Sequence, residues 1–132
     1  MRVVRAVQTP YVLIDLDVVE TKYHDLSLAL PATELCCAVK ANPGGPVIER
    51  LSTICSSFDV ANVPEIDLVL SYGVAPSRVS FGNTMKKQRD ITYAASHGIT
   101  RFTVDSVGEL EKVPTGHCRR SSVADPAMQQ GS

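Results

Sequence analysis

Four short apolar runs punctuate the chain: LCCAV (35–39), SFDVA (57–61), RVSF (78–81) and RFTV (101–104). Each is too short for a helix, and each reads as a strand, LCCAV as a buried one. Between them the apolar positions take up helical spacing. PVIERLSTIC (46–55) carries proline in its first turn, and VPEIDLVLSYG (63–73) runs from Pro64 to a stop at Gly73. KKQRDITYAASHG (86–98) ends on a glycine, and DSVGELEKV (105–113) begins with Asp105 or Ser106 as its cap. Ahead of these, YVLID (11–15) reads as one more strand. DVVETKYHDLSLALP (17–31) reads as a helix, with Val18, Val19, Tyr23, Leu26 and Leu30 on one stripe and Pro31 ending it.

The strand starts at 35, 57, 78 and 101 are separated by 22, 21 and 23 residues. A strand followed by a helix at this even beat is a repeated β-α unit, which predicts a parallel sheet. So regular a period suits a (β/α) barrel better than most doubly wound sheets. A closed eight-fold barrel needs roughly 250 residues, and about four units are present here. The expected fold class is therefore α/β, a partial (β/α)8 TIM-type barrel with parallel strands. Residues 1–34 form a lead-in strand and helix, 35–113 the partial barrel, and 114–132 an irregular or disordered tail. That tail, PTGHCRRSSVADPAMQQGS, has no apolar period. It reads as the end of a truncated, aberrantly spliced or frame-shifted product.

Composition narrows the class. The chain has 132 residues, 44% of them hydrophobic and 20% charged, with a net charge of −1. A near-neutral balance supplies no attraction to nucleic acid or to an anionic membrane. No apolar run is long enough to span a bilayer, and no signal peptide is read at the start. Cys36, Cys37, Cys55 and Cys118 fit no zinc spacing; Cys36 and Cys37 fall on opposite faces of one strand. They read as reduced small hydrophobes in a cytoplasmic protein.

The segment that invites chemistry is CCAVKANPGGP (36–46). Lys40 stands where the first barrel strand ends and the chain breaks into a loop. In a parallel barrel, catalytic groups collect at that end of the strands. A partly desolvated lysine there favours its neutral amine, which can attack an aldehyde. The bland alternative is a strand-end lysine that snorkels to water. Asp59 ends the neighbouring strand. There its carboxylate could hold the Lys40 ammonium, or it could be a helix cap or a solvated rim residue. Asn83 and Lys86 follow the third strand; each is a rim residue, or else a turn residue and a solvated helix start. His24, His97 and His117 read as a helix-face, a helix-end and a tail residue, and Arg119 and Arg120 as a solvated charge pair.

Three blocks together carry a resemblance: AVKANP (38–43), FDVA (58–61) and FGNTMKK (81–87), with TPYVLIDLDVV ahead of them. Over about residues 9–113 the chain resembles the ornithine/diaminopimelate/arginine decarboxylase family, fold-type III enzymes that use pyridoxal 5′-phosphate. FDVA with FGNTMKK looks more like the ornithine-type branch; Asn62 stands where that family more often has serine. The resemblance implies that Lys40 forms the Schiff base with the cofactor and that Asp59 sits in the wall beside it. It implies decarboxylation of a basic L-amino acid, ornithine to putrescine in polyamine biosynthesis, with diaminopimelate as the alternative substrate. It also implies a phosphate cradle, a carboxylate for the pyridine nitrogen and a ring-stacking histidine from later strands. A C-terminal β-domain and a homodimer completing the site are expected of the full-length family. The 132-residue chain is accordingly expected to be inactive alone. Two readings differ in class: a cofactor-dependent decarboxylase, or a non-catalytic fragment or regulatory homologue that associates with full-length relatives.

Overall fold

The computed structural model describes residues 10–54 and 56–114. The predicted tail from 115 onward lies outside them, as do Cys55, His117, Cys118, Arg119 and Arg120. Helix α1 (Leu16–Ala29) leads into strand β1 (Cys36–Ala38). There follow α2 (Gly45–Thr53), β2 (Ser57–Val60), α3 (Val63–Ser71), β3 (Val79–Phe81), α4 (Gln88–Ser96), β4 (Arg101–Phe102) and α5 (Val107–Glu111). All four strands are parallel and lie in the order β1-β2-β3-β4. This is the predicted four-unit arc of a (β/α) barrel.

Local chemistry explains the element ends. The Asp15 carboxylate accepts hydrogen bonds from the amides of Asp17 (3.0 Å) and Val18 (3.3 Å) and so starts α1. Asn62 and Glu65 form a reciprocal capping box at the start of α3. Asn62 Oδ1 accepts from the Glu65 amide at 3.0 Å, and Glu65 Oε2 accepts from the Ala61 amide at 2.8 Å. Ser106, rather than Asp105, caps α5. Gly73 and Gly98 sit at φ 75° and 83°, the left-handed conformation that ends a helix and that glycine adopts without a Cβ penalty.

Alternation along the strands divides the sheet into two unlike faces. Register pairs place Cys37, Phe58 and Val79 in one row, and Val60, Phe81 and Phe102 in the next. These face the helices and form the core with Val47, Ile48 and Leu51 of α2, Ile66 and Val69 of α3, and Ile91 and Ala94 of α4. The other face carries Ala38, Asp59, Ser80 and Arg101 in one register row, with Cys36 and Ser57 behind it. It is small and polar.

Three expectations are corrected here. YVLID (11–15) forms no strand; Tyr11, Val12, Leu13 and Ile14 are exposed, and nothing among the described residues offers them a ladder. LCCAV is not a buried strand: Cys36 is exposed and Cys37 half-buried, because β1 is an edge of the sheet. Lys86 is not on the first turn of α4 and is not solvated. It lies two residues before Gln88 and is buried.

At the N-terminal ends of the strands one ion pair crosses the polar face. Arg101, at the start of β4, meets Glu34, just before β1, through two hydrogen bonds of 2.6 and 2.7 Å. On a flat sheet strands three places apart would be ~14 Å away, so the long arginine and the curl of the sheet together close the gap. Ser57 Oγ donates to the same carboxylate at 2.5 Å, and Arg101 donates also to the Ser77 carbonyl at 2.8 Å. The Arg101 guanidinium, then Ser57, hold the Glu34 carboxyl down from 4.5 to about 2. A carboxyl depressed in the folded state stabilises above its unfolded pKa and loses that contribution as pH falls toward the folded one. Wild type should therefore be more stable than Glu34→Gln at neutral pH, and the gap should shrink as pH drops from 4.5 toward 2. Urea-unfolding midpoints across that range test this; a constant gap would show that the pairing contributes nothing through charge.

Candidate active site

The C-terminal ends of β1, β2 and β3 converge on one cleft of about 430 Å³, lined by Lys40, Asp59, Ala61, Gly82, Asn83 and Thr84. Every predicted rim residue except Lys86 is among them. Lys40 reaches it from a 3-10 turn, Val39–Ala41, that follows β1 directly. Val39 is fully buried beneath that turn, so the next side chain is turned outward. Lys40 is exposed, which corrects the expectation of a partly desolvated lysine: the turn lifts it onto the open side of the cleft. Beyond it the Asn42 side chain accepts from the Gly44 amide at 3.0 Å, shaping the loop that enters α2.

Asp59 lies beside the end of β1, its Cα paired in register with that of Ala38. It is half-buried. Burial pushes its carboxyl up from the usual value, and Glu65 nearby adds to that; the Lys40 charge and a hydrogen bond from Ser80 act the other way. The carboxylate thus shares the cleft with the Lys40 amine and is partly withdrawn from water.

Gly82 makes room for it. A Cβ built on Gly82 would stand inside contact distance of both Asp59 carboxylate oxygens and 2.5 Å from the Asp59 Cγ. The Gly82 backbone is outside the left-handed region, so the requirement for glycine is steric. Asn83 ties the two loops together. Its Nδ2 donates to the Ala61 carbonyl at 3.1 Å, and its Oδ1 accepts from the Met85 amide at 3.1 Å.

Sequence reasoning missed Ala61, Gly82 and Thr84 as lining residues, and Glu65 and Ser80 as neighbours of Asp59. Two signals were present. A lone glycine at a strand end marks a close approach, and Asn62-Val63-Pro64-Glu65 spells a capping box that fixes the loop after β2. The two described histidines take no part: His24 faces Glu20 along α1 at 3.7 Å, and His97 ends α4 against Tyr93. Cys36 and Cys37 also lie apart from the cleft lining, and burial pushes both thiols up, away from the reactive thiolate.

An amine on the rim of a parallel β/α sheet, with a carboxylate on the adjoining strand, is an arrangement for capturing a carbonyl compound. Comparison with known proteins defines the class further. Residues 16–124 match the family model described as pyridoxal-dependent decarboxylase, pyridoxal binding domain. The chain belongs to this family. It is 38% identical over 104 residues to a decarboxylase of Aspergillus flavus, covering 79% of this chain and 24% of that protein. It is 37% identical over 107 residues to the ornithine decarboxylase of Rattus norvegicus, covering 81% and 23%. The solved lysine/ornithine decarboxylase of Vibrio vulnificus, complexed with cadaverine, superposes with a TM-score of 0.71 at 36% identity, over 74% of this chain and 27% of that one. The chain thus spans about a quarter of the length of the curated relatives it matches.

Gly82→Ala should displace the Asp59 carboxylate and destabilise the fold by about 1–3 kcal/mol. In an Asp59→Ala background the same substitution should cost close to nothing, because the colliding atoms are gone. Chemical denaturation of the four proteins of this cycle measures the coupling; equal costs in both backgrounds would refute the steric assignment.

Proposed function

We propose that Lys40 is the amine that anchors pyridoxal 5′-phosphate in this chain, with Asp59 as its neighbouring carboxylate, and that the activity served is decarboxylation of a basic L-amino acid, ornithine first. The observation that carries the reading is the convergence of Lys40 and Asp59 on one open cleft at the C-terminal ends of adjacent parallel strands. The residues present fit the aldehyde end of the cofactor: Lys40 would meet the aldehyde, and a cleft of about 430 Å³ is of the size small ligands occupy. When bound, pyridoxal phosphate supplies an electron sink for loss of the substrate carboxylate.

The protein's own residues have separable tasks. Lys40 supplies the nucleophilic nitrogen, and its exposure leaves that nitrogen accessible to an incoming aldehyde. Asp59 keeps a negative charge near that nitrogen and can hold a proton there, a task helped by a carboxyl already pushed upward. Gly82 leaves the space in which the carboxylate sits. Asn83 fixes the distance between the loops after β2 and β3 through the Ala61 carbonyl. Ornithine is put first by the ornithine-type blocks FDVA and FGNTMKK and by the likeness to the rat ornithine decarboxylase, while the lysine/ornithine decarboxylase of Vibrio vulnificus supports the wider class of basic amino acids.

Borohydride reduction after mixing with pyridoxal phosphate tests the anchor. One phosphopyridoxyl group is expected on the peptide that carries Lys40, and Lys40→Ala should lose it; label spread evenly over other lysines would sink the assignment. Substrate preference is read from a chimera in which residues 16–113 replace the matching part of the rat ornithine decarboxylase. Carbon dioxide release from labelled ornithine should exceed that from lysine or arginine and vanish with Lys40→Ala. A chimera that prefers another amino acid would move the substrate while leaving the anchor in place.

A further inference from the structure

Lys86 is a buried cation that the cofactor reading does not use. Its side chain has 0% exposure. Its ammonium donates to the Asn83 carbonyl at 2.7 Å and the Thr103 carbonyl at 2.5 Å, and lies 3.8 Å from Glu109 Oε2. It stands 5.9 Å from the centre of the Phe81 ring. Glu109 is held in turn. Its Oε2 accepts from the Lys86 amide at 3.2 Å, and its Oε1 pairs with the Lys112 ammonium, which donates also to the Lys86 carbonyl at 3.3 Å. Burying a charge is costly unless it is paired and hydrogen-bonded, and here two carbonyls accept from the ammonium while the Glu109 carboxylate supplies the counter-charge 3.8 Å away. Burial pulls the Lys86 pKa down while Glu109 and Asp105 oppose it.

The partners lie on either side of the cleft wall. The Asn83 carbonyl belongs to the loop after β3, and the Thr103 carbonyl to the end of β4. Asn83 then carries the connection on, from its Nδ2 to the Ala61 carbonyl after β2. A continuous chain of hydrogen bonds and charge thus runs from Glu109 of α5 through Lys86 and Asn83 to Ala61. Its last two members line the cleft with Lys40 and Asp59.

We propose that Lys86 is a positioning residue: its buried ammonium sets the place of the Asn83–Thr84 wall of the Lys40 cleft. The effect on cofactor uptake rests on the reading given above, whereas the effect on the wall stands without it. A purely structural lysine would lower the stability of the whole sheet; a positioning lysine loosens this wall first.

Amide hydrogen exchange on the full chain separates the two. The Met85 amide, held by Asn83 Oδ1, reports the wall, and the β2–β3 ladder amides report the sheet. Lys86→Met should speed Met85 exchange about tenfold, as expected for loss of a hydrogen bond to a charged group, and leave the ladder amides unchanged. Glu109→Gln, which keeps the shape and removes the counter-charge, should speed Met85 exchange by a smaller factor and serves if Lys86→Met does not fold. Unchanged Met85 exchange in the folded variants, or an equal rise in the ladder, overturns the proposal. Uptake of pyridoxal phosphate gives a second readout. Lys86→Met should weaken it about tenfold, and adding Asn83→Ala should weaken it no further, since both act through one wall; additive losses would count against the proposal. If the wild-type chain takes up no pyridoxal phosphate, the cofactor reading fails, and the exchange rates still decide for or against Lys86.

Discussion

Parallel strands cannot be joined by a tight turn. Each must be followed by a crossover long enough to bring the chain back to the same side of the sheet. That constraint sets the 21- to 23-residue beat of this chain, and the rest of the molecule follows from it. Every strand ends on the same side, so the loops after β1, β2 and β3 meet although they are far apart in sequence. Every helix falls on the same face, so one set of alternate strand residues is apolar and the other is free to be polar. The core row of Phe58, Val60, Val79, Phe81 and Phe102 and the polar row of Ala38, Asp59, Ser80 and Arg101 are two sides of one register.

The polar face places a carboxylate at each end, and their surroundings set them apart. Glu34 meets a bidentate guanidinium and a serine hydroxyl, and its carboxyl falls to about 2. Asp59 is half-buried near a single exposed amine, and its carboxyl rises. A fully matched charge holds structure together and is poor at exchanging protons; an undermatched one in a cleft is suited to it. The same residue chemistry is thus spent on cohesion at one end of the sheet and kept available at the other.

Much of this was legible in the chain. The beat of strands and helices identified the parallel sheet, and the blocks around Lys40, Asp59 and Asn83 located the cleft. What escaped depended on partners distant in sequence. YVLID has every local mark of a strand, but a strand needs a ladder, and residues 11–15 have none in the described structure. RFTV was read as four strand residues, and only Arg101–Phe102 pair in register with β3; beyond them the Thr103 amide still donates to the Phe81 carbonyl at 3.1 Å. Lys86 follows Met85 and precedes another lysine, which looks like a solvated pair. Its burial is decided by a carbonyl 17 residues away and a carboxylate 23 residues away. Gly82 is one glycine among eight, and only the position of Asp59 shows why it is there.

The division of the polar face into a matched end and an available end has a genetic corollary. Random substitutions in this chain should sort into two phenotypes. Changes at Glu34, Ser57 or Arg101 should yield temperature-sensitive proteins that behave normally when cold. Changes at Lys40 or Asp59 should yield proteins that accumulate to ordinary levels and, on the proposed reading, fail to take up pyridoxal phosphate at every temperature. The two ends of the same four strands would then appear, in a screen blind to structure, as two phenotypic classes of defect encoded in alternating stretches of one short gene segment.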